Sequence, residues 1–172
     1  MLLSLVMCIF FPLAVSGADH GISVGYGIAA FNLHKHTGRI EGSRIYDFFQ
    51  FTYLYERPCR DYSQIALFAE PFVAYVNRPS EGIDFGFYAG LKWYPIDHQN
   101  KGLFFTAGTG MAYTTTGFKE QGTHLMFTLE AGVGYRFERF FVEDRVRHYS
   151  NGKTASPNRS VNANVITVGI YF

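Results

Sequence analysis

From Ile22 to Phe172, large apolar side chains recur at every second position, in runs broken by turn residues. Period two is the signature of a strand, whose successive side chains leave on opposite faces. The runs mark eight segments: Ile22–Leu33, Arg44–Glu56, Gln64–Asn77, Gly82–Pro95, Gly102–Thr116, His124–Phe137, Phe140–Ser150 and Val161–Phe172. Each has about the length a tilted strand needs to cross a bilayer. Turn signals separate them at His36-Thr37-Gly38, Arg57-Pro58, Arg78–Gly82, Asn100-Lys101-Gly102, Thr116-Gly117 and Ser156-Pro157-Asn158.

The sense of the alternation sets the class. In the sixth segment Leu125, Phe127, Leu129, Ala131, Val133, Tyr135 and Phe137 share one face. The other carries His124, Met126, Thr128, Glu130, Gly132, Gly134 and Arg136. The fourth repeats this, with Ile83, Phe85, Phe87, Ala89, Leu91 and Trp93 opposite Asp84, Gly86, Tyr88, Gly90 and Lys92. A continuous apolar face backed by glycine and ionisable groups fits a small barrel in lipid, apolar outside and polar within. The pattern therefore predicts an all-β fold, an eight-stranded antiparallel transmembrane β-barrel of the outer membrane. Glu70, Asp84, Lys92, Glu130, Arg136, Glu143, Arg145 and Arg147 are expected inside it. The second, third and fifth segments have mixed parity and leave their facing open.

Composition agrees: 18% of residues are aromatic, 17% charged, and the net charge is only +1. That balance lacks the concentrated basic surface of a nucleic-acid binder. Leu2–Val15 is an apolar run too short for a typical transmembrane helix, followed by Ser16-Gly17-Ala18. It reads as a signal peptide over residues 1–18, leaving residues 19–172 as a single barrel domain. Cys8 leaves with the leader, so Cys59 stands alone and neither an internal disulfide nor a cysteine metal site is expected. The last segment ends with Ile166, Val168, Ile170 and Phe172 in alternation. This resembles the C-terminal signal of bacterial outer-membrane barrels, and implies the outer-membrane assembly machinery as a partner through the Phe172 strand.

Eight strands put both termini on the periplasmic side, so His34–Ser43, Arg78–Glu81, Gly117–Thr123 and Asn151–Ser160 are expected to be outer loops. Candidate chemistry lies beside the last of them. On the seventh segment His148 and Ser150 share a face, a base and a hydroxyl nucleophile. Arg145 and Arg147 take the opposite parity and belong to the lumen, which turns the His/Ser pair toward lipid. Asp144 shares that outward parity and breaks the apolar pattern. Asn162 has outward parity on the next strand, near the same rim. His34-Lys35-His36 has no evident partner carboxylate and reads as a solvated loop, so no metal is expected.

The run Arg147-His148-Tyr149-Ser150-Asn151-Gly152, followed by Pro157-Asn158, Asn162 and the closing strand, resembles the lipid A 3-O-deacylase (PagL) family. The resemblance implies an esterase at the outer leaflet that removes the 3-O-linked acyl chain of lipid A; no cofactor is expected. His148 matches the family's base and Ser150 its nucleophile, while Asn162 stands where the family has a glutamate that orients the histidine. Asn151, Gly152 and Asn158 are candidate oxyanion or substrate-binding donors. Lys35, Arg39, Arg44, Arg78, Lys119, Lys153 and Arg159, in or beside outer loops, suit the phosphates of lipopolysaccharide. Two further readings stay open, a non-catalytic structural or adhesive barrel and a lipid acyltransferase, and so does a homodimer.

Overall fold

In the computed structural model, residues 18–31, 45–96, 100–116, 121–158 and 160–172 are described. Residues 1–17 of the expected signal peptide, together with His34, Lys35, His36, Arg39, Arg44, Lys119 and Arg159, lie outside the described residues.

Eight strands follow in order: β1 (Asp19–Phe31), β2 (Tyr46–Cys59), β3 (Tyr62–Arg78), β4 (Gly82–Trp93), β5 (Gly102–Thr114), β6 (Leu125–Arg136), β7 (Phe140–Ser150) and β8 (Val161–Tyr171). Each pairs antiparallel with its neighbours in sequence, and β8 pairs with β1 to close the barrel. Closure leaves no strand edge unpaired.

One boundary departs from expectation. Arg57-Pro58, read as a turn, continues β2, with Arg57 opposite Leu67 and Pro58 opposite Ala66. The reversal comes at Arg60-Asp61, between the paired Cys59 and Tyr62. Proline is tolerated there because it sits at the strand's end, where an amide donor can be missing. The long Arg57–Ser63 connection is thus a tight hairpin.

Parity holds round the barrel except at Asp47, buried between Tyr46 and Phe48 where β2 shifts register against β3. The strands left open by the sequence resolve with Phe49, Phe51 and Tyr53 of β2, Leu67, Val73 and Tyr75 of β3, and Phe105, Met111 and Tyr113 of β5 on the outer wall. Their even-numbered neighbours point inward. All eight charged residues expected in the lumen are buried, from Lys92 and Arg147 at 1% exposed to Arg136 at 6%.

Seven of these charges form ion pairs with one another or with Glu56, while Asp84 accepts a hydrogen bond from the Tyr46 hydroxyl. Arg145 reaches Glu70 (2.6 and 2.9 Å), Glu130 (2.9 Å) and Glu143 (2.8 Å). Arg147 bonds Glu130 Oε2 at 3.1 Å and Gln50 Oε1 at 2.8 Å, and its guanidinium lies 3.9 Å from the Tyr88 ring centroid. Lys92 bonds Glu56 at 3.0 Å, and Tyr94 and Tyr171 donate to the same carboxylate. Buried charges survive only when paired and hydrogen-bonded in this way. Aromatic clusters flank the network, Tyr46, Phe48, Phe72, Tyr88 and Tyr149 in one and Tyr94, Phe104, Phe141 and Tyr171 in the other. Glycines make room for these rings: a Cβ on Gly134 would come within 2.8 Å of Phe104 Cε1.

Candidate active site

The inward residues of β7 fix its outward ones. Arg145, Arg147 and Tyr149 are each at most 4% exposed, and Arg147 Nη1 donates to the Tyr149 hydroxyl at 3.3 Å. Side chains locked into the lumen at alternate positions hold the strand, so His148 and Ser150 leave its other face from a rigid support.

On that outer wall His148 pairs with Leu129 of β6 and Asn162 of β8, and Ser150 pairs with Phe127. His148, Ser150 and Asn162 are all half-buried. The His148 Nδ1 lies 2.8 Å from Asn162 Oδ1. An amide oxygen only accepts, so Nδ1 is the donor in this contact, and a neutral ring then has its lone pair on Nε2. Ser150 follows two residues on, about 7 Å along the strand at Cα. The cross-strand contact foreseen between His148 and Asn162 is therefore made, in the tautomer a general base needs.

The loop after Ser150 is organised by Asn151, which is fully buried. Its Nδ2 donates to the carbonyls of Gln121 (2.5 Å), Ala155 (2.9 Å) and Pro157 (3.1 Å). Its Oδ1 accepts the Lys153 N–H at 2.8 Å, closing an Asx turn over Gly152. Gly152 and Lys153 both take the left-handed conformation, at φ 61° and 66°. The Asn151 N–H donates to Asn158 Oδ1 at 3.2 Å. That bond occupies the Asn151 amide, which was one of the candidate oxyanion donors. The Gly152 N–H and the Asn158 amide hydrogens have no acceptor among the described residues.

Other candidates fall elsewhere. Arg78 lies against Asp47 through two bonds of 2.8 and 2.9 Å, while Lys153 is exposed in the β7–β8 loop. Asp144 is exposed on the outer wall between Val133 and Ile166, and nothing in the structure explains it. Sequence reasoning missed the role of Gln121, whose carbonyl meets Asn151 from 30 residues away. No local signal carries such a contact.

Fold and site together define a small barrel of the outer-membrane type, with a serine, a histidine and an amide gathered on its lipid-facing wall. The sequence profile of the lipid A 3-O-deacylase (PagL) family matches residues 49–171, and the chain belongs to that family. The crystal structure of the outer membrane enzyme PagL superposes with a TM-score of 0.61 at 18% identity, covering 88% of this chain and 98% of that one. The N-terminal β-barrel domain of Pseudomonas aeruginosa OprF gives 0.55 at 14% identity, over 91% and 98% of the two chains. Neisserial surface protein A gives 0.54 at 13%, over 91% and 96%. At these identities the likeness is one of fold. No curated protein sequence matches the chain.

Proposed function

We propose that this chain is a serine esterase that hydrolyses the 3-O-linked acyl ester of lipid A in the outer leaflet of the outer membrane. Family membership supports the reaction class. The observation that carries the residue assignment is the 2.8 Å contact from His148 Nδ1 to Asn162 Oδ1 beside Ser150 on the same wall.

In this mechanism Ser150 Oγ bonds to the ester carbonyl carbon as His148 Nε2 takes its proton. The tetrahedral oxyanion is met by the Gly152 N–H and the Asn158 amide. Collapse breaks the bond to the sugar oxygen, which leaves with the proton from His148. Water then attacks the acyl-serine, His148 again serving as base, and the free fatty acid departs with Ser150 regenerated. Asn162 holds the imidazole in its working tautomer but brings no negative charge to the imidazolium. A wall-mounted site suits a substrate whose acyl chains already lie in the bilayer, because lipid A can reach it laterally.

Mass spectrometry of lipid A from cells producing the protein, or its Ser150→Ala and His148→Ala variants, tests this reading. Loss of one hydroxyacyl chain with the unaltered protein alone is the expected result. An unchanged acyl pattern across several lipid A structures would leave a non-catalytic barrel. Acyl gain on another lipid would identify transfer in place of hydrolysis.

A further inference from the structure

Two outer loops meet beside Ser150, and Asn151 joins them. Gln121 and Gly122 belong to the β5–β6 connection, Asn151 to Asn158 to the β7–β8 connection. The Gln121 carbonyl accepts from Asn151 Nδ2, and Gln121 Nε2 returns a bond to the Tyr149 carbonyl at 3.5 Å. Both Gln121 and Asn151 are at 0% exposure although they lie in loops. Gly122, at φ 60°, packs so closely on the other loop that a Cβ would collide with the Ser156 carbonyl oxygen and stand 2.7 Å from its carbon. The contact is thus built from two independent features, a buried amide and a glycine that leaves no space.

Asn151 controls both donors that the proposed reaction requires. Its Oδ1, by taking the Lys153 N–H, sets the turn that presents the Gly152 N–H. Its own N–H holds Asn158 by the oxygen of the side-chain amide, which leaves the Asn158 hydrogens for another acceptor. Its two amide hydrogens, shared among three carbonyls, fix this turn to Gln121 on one side and to Ala155 and Pro157 on the other. A buried amide with its donors and acceptor all engaged is a rigid support.

We propose that Asn151 is a positioning residue of the esterase site. It acts through Gly152 and Asn158, and the Gln121-Gly122 segment serves as the second jaw of the same clamp. This rests on the esterase reading given above. Asn151 touches no reacting atom; it fixes in advance where the oxyanion donors stand. The β5–β6 loop thereby becomes part of the catalytic geometry without contributing a group that meets substrate.

The test compares the whole protein with its Asn151→Asp and Gly122→Ala variants on purified lipopolysaccharide in detergent micelles, with rates read by mass spectrometry of the released acid. Asn151→Asp keeps the acceptor for Lys153 but sets a carboxylate against three carbonyls. Its kcat should fall on the order of a hundredfold, the size of a lost oxyanion donor, with KM little changed. Gly122→Ala, remote from every reacting group, should lower kcat roughly tenfold through displacement of the opposite loop. Migration on unboiled electrophoresis reports barrel folding for each variant, and the rate of Ser150 labelling by a fluorophosphonate reports the site without lipid. Folded variants with unchanged kcat and unchanged labelling would overturn the clamp while the esterase reading stands. A loss confined to KM would also overturn it, because that marks lipid binding. Absence of turnover by the unaltered protein would instead remove the esterase reading.

Discussion

Asn162 Oδ1 faces His148 Nδ1 at 2.8 Å across the β7–β8 pair, so the imidazole is oriented by a neutral amide. In the proposed esterase reaction the tautomer this selects is the productive one. The amide lacks the charge that would stabilise imidazolium as the proton moves.

Asn162→Glu should therefore raise kcat, by roughly tenfold, since a charge-assisted hydrogen bond is about twice as strong as a neutral one. Asn162→Leu should lower it by two orders of magnitude or more, on the order of the penalty for losing the correct tautomer. Steady-state release of hydroxyacyl acid from lipopolysaccharide measures both. Abolition by Asn162→Glu would contradict the placement of residue 162 as the orienting group.

The lumen network predicts an asymmetric response. Arg145→Leu leaves Glu70, Glu130 and Glu143 short of their shared cation. Stranding buried charge in this way should cost about 3–5 kcal/mol. Urea unfolding followed by Trp93 fluorescence in detergent or vesicles would measure it. Loss below about 1 kcal/mol would mean that water screens the cluster.

Facing can be tested at two adjacent residues. Phe87 is 40% exposed on the outer wall of β4, and Tyr88 is at 0% in the lumen. Phe87→Arg puts a charge into the lipid face and should destabilise the barrel by about 2–4 kcal/mol in a bilayer. In short-chain detergent, where the head can reach water, the penalty should shrink. A bilayer-independent effect would place Phe87 elsewhere.

Close packing of ring on backbone gives a coupled pair. A Cβ on Gly27 would come within 2.6 Å of three Phe48 ring carbons. Gly27→Ala alone should cost about 1–3 kcal/mol through overpacking, and Phe48→Leu should recover part of it. A double-mutant cycle in urea reads the coupling; simple additivity would sink it.

Much of this was legible because one physical rule, lipid outside and ions inside, writes itself at period two. Leu125 to Phe137 obey it cleanly, Phe140 to Ser150 do so except at the outward Asp144, and the His148–Asn162 pair follows from parity and adjacency alone. The rule blurs in β2, β3 and β5 because the lumen also takes Phe48, Phe68, Phe72 and Phe104. Apolar side chains then stand on both faces and the pattern loses its sign. It lapses at Arg57-Pro58 for another reason, since both residues are exposed at the hairpin and no buried face constrains them. Asn151 was legible as a candidate donor but not as the buried hub of its loop. Its partners are carbonyls, which every residue has, on a loop far away in sequence.

Arg145 and Arg147 have one more effect, on the traffic of solutes. Where a porin keeps an open bore, this barrel fills its bore with guanidinium groups, carboxylates and stacked rings. A solute entering the barrel meets these buried pairs and rings across the lumen. The proposed site accordingly sits on the outer wall rather than in the bore.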